Sequence, residues 1–160
     1  MTARPGAVAL VLASLILVAG WLSGRTGADA PLPERYDADP VTFHARVDAM
    51  IATHGYRRDS DGQMVVHPPE GDVPMLAKAW EFSPMLEVEA GRTYRLHLLA
   101  EDMVHSAALD ETEILLAPGR VAVVTVTAPP EGGAVRLQCG EYCGLGHTRM
   151  IAAIAVVARR

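Results

Sequence analysis

Residues 139–150 read CGEYCGLGHTRM, and this stretch decides what kind of domain the C-terminal half forms. Two thiols, an imidazole and a thioether fall close together in it, at Cys139, Cys143, His147 and Met150. The glycines between these residues let the chain turn tightly enough for all four side chains to point inward. Thiolate and thioether are soft ligands that, together with imidazole, favour copper over hard cations, and a methionine gives little reason to propose zinc. The stretch therefore predicts a copper-binding loop.

The number of cysteines bears on how many copper ions such a loop would hold. A mononuclear blue-copper site uses one cysteine, two histidines and a weak axial methionine, so it would leave one thiolate idle. Two thiolates can instead bridge two copper ions, each of which takes one histidine, and this arrangement needs a second histidine. His105 is the candidate, because it follows a predicted strand and can lie at the same end of a sandwich as the cysteines. A Cys139–Cys143 disulfide is the alternative in an exported protein, but it explains neither His147 nor Met150.

The chain before and after this loop carries short strand patterns separated by turns. Alternating or β-branched apolar residues recur, and Ser-Pro, Ala-Gly and Pro-Gly pairs lie between the apolar segments. Short strands at this spacing indicate an all-β sandwich rather than alternating strands and helices. Residues 57–71 are polar and rich in turn residues, which predicts mostly loop there. The predicted strands cover residues 75–82, 86–89, 93–99, 121–127, 134–137 and 151–158.

The N-terminus contains an uninterrupted apolar run at residues 6–22, flanked by arginines. A helix of that length rises about 25 Å, enough for the hydrocarbon core of a membrane, and Trp21 stands where an interfacial aromatic would lie. A cleaved signal peptide has the same features, and residues 28–30 (ADA) resemble its small-residue exit. We favour an uncleaved anchor because Pro31 follows that exit directly. Both interpretations export the rest of the chain.

Three segments follow from these patterns. Residues 1–29 are predicted to be a transmembrane anchor or a signal peptide, and residues 30–71 a linker that contains a short helix. Asp39-Pro40 is typical of a helix start, and apolar residues then recur at helical spacing until Gly55. Residues 72–160 are predicted to form the copper-binding domain.

The composition excludes some classes of function. Half of the residues are hydrophobic, which is sufficient for a packed core and is not typical of a disordered chain. The formal net charge is −5, whereas neutralising phosphates requires an excess of lysine and arginine. We therefore expect no nucleic-acid partner.

The order of three motifs resembles the CuA domain of cytochrome c oxidase subunit II. They are the segment Asp102-x-x-His105, the Pro118-Gly119 turn and the pattern C-x-E-x-C-G-x-x-H-x-x-M in residues 139–150. The resemblance extends from about residue 72 to the C-terminus, and the apolar N-terminus suits the family's membrane anchor. It implies a cupredoxin-like Greek-key β-sandwich, preceded by one transmembrane helix and a short amphipathic helix. A single candidate anchor makes the chain similar to the short bacterial form.

The resemblance also implies a ligand set for a binuclear copper centre. Cys139 and Cys143 would bridge the two ions, and His105 and His147 would each bind one. Met150 and the backbone carbonyl of Glu141 would be weak ligands. The Glu141 side chain is also a candidate ligand for magnesium at a subunit I interface, and an ordinary surface carboxylate is the alternative.

The resemblance further implies a respiratory role. The chain would accept electrons from cytochrome c or a similar cupredoxin donor and pass them to haem in oxidase subunit I, which reduces oxygen. Trp80 and Phe82 are candidates for the point where electrons enter, and core packing explains them equally well. The anchor would lie in the bacterial cytoplasmic membrane, in contact with lipid, with the C-terminal domain on the periplasmic face. A CuA-bearing subunit of a nitric-oxide reductase and an exported copper-delivery protein are the alternatives.

Overall fold

The computed structural model describes residues 5–24, 33–109 and 112–159. These residues form two compact units, one built on the N-terminal helix and one that begins at Pro33. The strands and the second helix therefore belong to one unit, including those in the segment predicted as a linker.

The first unit contains helix α1, Pro5–Gly24. Its central window, Gly6–Ser23, has a mean hydropathy of 2.2, so by length and composition it could cross a membrane. The hydroxyls of Ser14 and Ser23 donate to carbonyls one turn earlier, which satisfies them without water. The apolar helix is thus confirmed, and because a signal sequence has the same character, its retention as an anchor stays a prediction.

The second unit is a β-sandwich with one helix, α2 (Pro40–His54). Its strands are β1 (Arg35–Asp37), β2 (Gly55–Arg58), β3 (Met64–Val66), β4 (Gly71–Lys78), β5 (Glu81–Ser83), β6 (Met85–Glu89), β7 (Thr93–Ala100), β8 (His105–Leu109), β9 (Thr112–Leu116), β10 (Arg120–Thr127), β11 (Gly133–Gln138) and β12 (Ile151–Val157). One sheet has the strand order β1-β10-β7-β4-β5, and the other has the order β2-β3-β6-β12-β11-β8-β9. Some neighbours in these sheets are parallel and far apart in sequence, such as β4 with β7 and β6 with β12, and such pairs require crossovers between sheets.

The main apolar core takes side chains from both sheets. Leu98 of β7 and Leu137 of β11 are fully buried in it. The same cluster contains Cys139, Cys143 and Met150. The predicted copper-binding loop is therefore a continuation of the core rather than a surface appendage.

Helix α2 covers the outer face of the five-stranded sheet. Asp39 caps it, with Oδ2 accepting from the Thr42 amide at 2.8 Å, and a proline occupies the first turn as predicted. Phe43 and Val47 then pack in a second apolar cluster with residues of β4, β7 and β10. Because β4 has apolar neighbours on both faces, five consecutive residues of it are buried, and period-two alternation is lost.

One of the predicted strands was wrong in detail, and one predicted loop contains short strands. Residues 75–82 form two strands, β4 and β5, which reverse at a two-residue turn so that Lys78 pairs with Glu81. No glycine marks that turn, so the sequence carries no ordinary hairpin signal there. Residues 57–71 are mostly loop, as predicted, but they also contain β3 and the end of β2. Both strands are too short to show a clear alternating pattern.

The hairpin of β8 and β9 was also missed. Strand β8 begins at His105 and is rich in serine and alanine, which are weak strand formers, so its pattern is faint. It nevertheless pairs with both β9 and β11, which puts His105 beside the strand that leads into Cys139.

The packing of α2 can be tested with Phe43→Ala. Phe43 is 1% exposed, so the substitution should lower the free energy of unfolding by about 3–5 kcal/mol through lost burial and a residual cavity. Urea unfolding of the full chain in detergent, followed by tryptophan fluorescence, measures this. Val41→Ala on the same helix is the control, since Val41 is 78% exposed and the change should stay within about 0.5 kcal/mol. Equal effects of the two substitutions would contradict the packing role of α2.

Candidate metal centre

The ligand loop, residues 139–150, connects β11 to β12. The two strands pair along the whole length of β11, and the Cys139 amide donates to the Met150 carbonyl at 3.0 Å, which closes the base of the loop. The last part of the loop is a short 3-10 helix, His147–Arg149, in which the Met150 amide donates to the His147 carbonyl at 3.0 Å. Cys139 and Met150 therefore stand side by side at the end of the sheet.

The donor atoms converge on a small volume inside this loop. Cys139 Sγ lies 3.8 Å from Cys143 Sγ and 4.0 Å from His105 Nδ1. Cys143 Sγ lies 3.7 Å from His147 Nδ1 and 3.7 Å from Met150 Sδ. The two sulfurs thus face each other, and each faces its own imidazole. The structure brings together all five side chains that the sequence predicted as ligands.

The backbone carbonyl and the side chain of Glu141 lie in different surroundings. Its carbonyl oxygen lies 3.2 Å from Cys139 Sγ, on the inside of the loop. Its side chain is exposed to solvent. A weak-ligand role is therefore open to the carbonyl, whereas the carboxylate faces outward.

This donor set fits a soft metal ion. Metal–thiolate and metal–imidazole bonds of about 2.3 and 2.0 Å put two tetrahedral ligands of one ion about 3.5 Å apart. The two sulfur–nitrogen separations, 4.0 and 3.7 Å, are close to that value. The ligand atoms of His105, Cys139 and Cys143 also lie within 4.8 Å of one another. Thiolate, imidazole and thioether together are the chemistry that copper prefers.

Asp102 orients the imidazole of His105. Its Oδ1 lies 2.8 Å from His105 Nε2, and because a carboxylate only accepts, Nε2 carries the hydrogen and Nδ1 keeps its lone pair for a metal. Burial raises the pKa of the Asp102 carboxyl, but hydrogen bonds from His105 and from the Ala79 and Met103 amides outweigh burial and hold that pKa below its ordinary value. Asp102 is thus ionised at neutral pH.

Burial has the opposite effect on the cysteine pair. It raises the pKa of the Cys143 thiol to about 11, and the neighbouring Cys139 adds to the rise. Without a metal, Cys143 therefore keeps its proton at neutral pH. A bound metal ion reverses this, since a coordinating thiol loses its proton to solvent.

Relatives of known identity share this chain's sequence over most of its length. It is 29% identical over 154 residues to cytochrome c oxidase subunit 2 of Thermus thermophilus, with 93% of this chain and 86% of the relative covered. It is 33% identical over 92 residues to another Thermus thermophilus protein with that name, with 56% of this chain and 67% of the relative covered. The chain belongs to the cytochrome c oxidase subunit II family. No protein-family model matches it.

Solved structures agree with the cupredoxin-like fold. A chain of a haem–copper terminal oxidase dimer superposes with a TM-score of 0.55 at 19% identity, covering 96% of this chain and 100% of that one. The periplasmic domain of subunit II of the Bradyrhizobium japonicum cytochrome oxidase gives a TM-score of 0.50 at 21% identity, covering 54% and 83%. A rusticyanin variant gives 0.54 at 17% identity, covering 79% and 99%. The predicted all-β Greek-key sandwich is thereby confirmed.

The two aromatic residues that the sequence singled out have different positions in this subunit II fold. Trp80 lies in the turn between β4 and β5, is 38% exposed and donates from Nε1 to the Cys143 carbonyl at 2.9 Å. Its indole covers Gly146, where a Cβ atom would overlap the ring. Phe82 is 1% exposed and packs in the main core. Of these two, Trp80 alone presents part of its ring to solvent while touching the ligand loop.

Sequence reasoning noted Asp102 as part of a family motif and did not foresee its hydrogen bond to His105. The signal was the spacing Asp102-x-x-His105, which puts a carboxylate one short turn from the imidazole.

The orienting role of Asp102 can be tested with Asp102→Asn. An uncharged amide holds the His105 Nε2 hydrogen less strongly, so affinity for copper should fall about 10- to 100-fold, as is usual when such a partner is lost. Competition of the full chain with a chelator of known copper affinity measures this. Asp48→Asn, on the exposed face of α2, is the matched control and should leave affinity unchanged. Equal affinity of Asp102→Asn and the parent chain would refute the orienting role.

Proposed function

We propose that this chain is the electron-accepting subunit of a haem–copper oxidase, with a binuclear CuA centre in the ligand loop. It takes electrons from cytochrome c or a similar cupredoxin donor and passes them to haem in subunit I, where oxygen is reduced. The main support is the pair of buried sulfurs 3.8 Å apart, each of which faces a different imidazole. A single-ion site would leave one thiol and its imidazole without a role.

The proposed ligand assignment follows from the side chains that face inward. A bound copper pair would supply reversible one-electron transfer. In this assignment Cys139, Cys143, His105 and His147 would hold the ions, and Met150 and the Glu141 carbonyl would be weak ligands.

The surrounding residues support electron transfer by keeping the site dry and rigid. His105, Cys139, Cys143 and Met150 are all buried, so little water has to reorganise when the charge of the site changes. The loop base is closed by a backbone hydrogen bond, and Asp102 holds one imidazole in place. Ligand positions that change little between the two oxidation states are what a fast one-electron carrier needs.

Trp80 is the proposed point where electrons enter. Its partly exposed indole can meet a donor protein, and its hydrogen bond leads to the carbonyl of the ligand residue Cys143. Phe82 is buried, so it has no surface to offer a donor, and its packing role is the simpler explanation.

The proposed setting is the bacterial cytoplasmic membrane. Helix α1 would anchor the chain in lipid, the sandwich would lie on the periplasmic face, and subunit I would be the neighbour in the membrane. Magnesium binding by the Glu141 side chain remains a prediction that the exposure of this carboxylate allows. The oxygen chemistry belongs to the partner subunit.

The alternatives differ in how well the fold suits them. A copper-delivery protein with C-x-x-x-C and a distant histidine would use a thioredoxin-like α/β scaffold, whereas this domain is a sandwich of two sheets. A nitric-oxide reductase subunit would use the same ligands, and the acceptor then depends on the catalytic subunit with which the chain assembles.

Copper stoichiometry and spectroscopy test the proposal. The full chain in detergent, reduced and then loaded with copper, should bind two ions per chain and become purple. Its EPR signal should show the hyperfine pattern of one electron shared by two copper nuclei. Cys143→Ser should lose this signal, and His44→Gln on α2 should retain it. One copper per chain with a single-nucleus signal, or a Cys139–Cys143 disulfide that resists loading, would contradict the proposal.

Trp80→Phe tests the path by which electrons enter. The variant keeps an aromatic ring but loses the N–H that reaches the Cys143 carbonyl, so reduction of the copper centre by a reduced donor protein should slow. Stopped-flow absorbance of the loaded full chain measures the rate, and copper content and EPR signal should match those of the parent. Tyr56→Phe, on β2, is the control and should not change the rate. An unchanged reduction rate in Trp80→Phe would mean that electrons do not enter through the Trp80 N–H and the Cys143 carbonyl.

A further inference from the structure

We propose that Ser106, held by Glu113, is a positioning residue that sets the start of the ligand loop and thereby the properties of the metal centre. This inference rests on the proposed function, since it concerns the same site. Neither residue belongs to the proposed ligand set.

Every hydrogen-bonding position of the Ser106 hydroxyl is used. Ser106 is 2% exposed, and its Oγ accepts from the Gly140 amide at 2.7 Å and from the Glu141 amide at 3.0 Å. The same hydroxyl donates to Glu113 Oε1 at 2.7 Å. A serine hydroxyl has one hydrogen and two lone pairs, so these three bonds complete its capacity.

The two amides bound by Ser106 belong to the first turn of the ligand loop. They directly follow Cys139, and the second belongs to Glu141, whose carbonyl oxygen lies 3.2 Å from Cys139 Sγ. A shift of this turn would therefore move both a proposed bridging sulfur and a proposed weak ligand. Within the described part of the chain, Ser106 is the one hydroxyl that accepts from these two amides.

The place of Ser106 in β8 links this turn to the opposite ligand. Ser106 follows His105 directly, and His105 Nδ1 lies 4.0 Å from Cys139 Sγ. One strand thus carries an imidazole on one residue and the hydroxyl that holds the facing loop on the next. Strand β8 also pairs with β11, the strand that leads into Cys139. The separation between His105 Nδ1 and Cys139 Sγ therefore depends on two hydrogen-bonded connections, the β8–β11 pairing and the bonds between Ser106 and the loop amides.

Glu113 fixes the orientation of the hydroxyl. In the β8–β9 hairpin, Glu113 pairs with Ala108, which makes it a diagonal neighbour of Ser106 on the same face. A hydrogen bond to a carboxylate is stronger than one to a neutral acceptor, so the Ser106 hydrogen is drawn toward Glu113 and both lone pairs face the loop amides. Gly140 permits this approach, since a Cβ atom there would overlap Glu113 Oε1.

A role in folding alone would predict something different. If Ser106 only helped the loop to close, its replacement would lower stability, and any chain that still folded would bind copper as the parent does. A positioning role predicts that the properties of the metal centre change in chains that remain folded. The affinity for copper and the energies of the copper–thiolate absorption bands report on those properties.

The test compares Ser106→Ala, Ser106→Thr and Glu113→Gln in the full chain in detergent. In the metal-free chain, Ser106→Ala should speed hydrogen exchange at the Gly140 and Glu141 amides, because they lose their acceptor. In the loaded chain it should lower copper affinity about 10- to 100-fold and shift the copper–thiolate bands. Ser106→Thr keeps the hydroxyl and should restore all three readouts. Glu113→Gln should give a smaller change of the same sign.

Glu131→Gln is the matched control, since Glu131 is an exposed glutamate in the turn before β11, at the far end of that strand from Cys139. It should match the parent in every readout. If Ser106→Ala does not fold, Glu113→Gln decides the matter, because Glu113 is exposed and its replacement leaves the core intact. The proposal is overturned if Ser106→Ala matches the parent in amide exchange, copper affinity and copper–thiolate bands. The same result in Glu113→Gln overturns it when that variant decides. A failure of Ser106→Thr to restore the three readouts also overturns it.

Failure of the proposed function would look different. In that case the parent chain itself would lack two coppers and the shared-electron signal, whatever the variants did. Amide exchange in the metal-free chain would still show whether Ser106 holds the loop.

Discussion

The two sulfurs of Cys139 and Cys143, 3.8 Å apart in an apolar core, are the constraint on which the rest of the centre depends. As thiols they pack as small apolar groups, and burial raises the pKa of Cys143 to about 11. As a pair of thiolates they would repel each other and lose their hydration. Ionisation of both sulfurs is therefore favourable only around a cation. A soft metal ion supplies that charge.

The sandwich supplies the rigidity that such a pair needs. The ligand loop begins at the end of β11 and ends at the start of β12, where Cys139 and Met150 are joined by a backbone hydrogen bond. His105 comes from the first residue of β8, the other neighbour of β11. Trp80 comes from the opposite sheet and donates to the Cys143 carbonyl, so the loop is held by both layers of the fold.

Membership of the cytochrome c oxidase subunit II family gives this geometry its context. The same residues that hold the loop also shape its chemistry, because Asp102 and Ser106 lie on either side of His105 and act on opposite parts of the centre. Asp102 sets the tautomer of the imidazole, and Ser106 holds the turn after Cys139. The short segment 102–106 thus links a ligand, its orienting carboxylate and the support of the facing loop.

The sequence by itself determined the all-β fold, the apolar helix and the capped start of α2, and it predicted the donor set and a soft metal for it. These depend on residue chemistry and on spacing within short segments, which a single sequence displays directly. Only the tertiary structure decided that β8 pairs with β9, that residues 75–82 reverse at Trp80 and that Phe82 is buried. It alone joined Ser106 to Gly140, two residues 34 positions apart. Contacts of that kind depend on which strands become neighbours and in what register, and these are set by the packing of the whole sandwich.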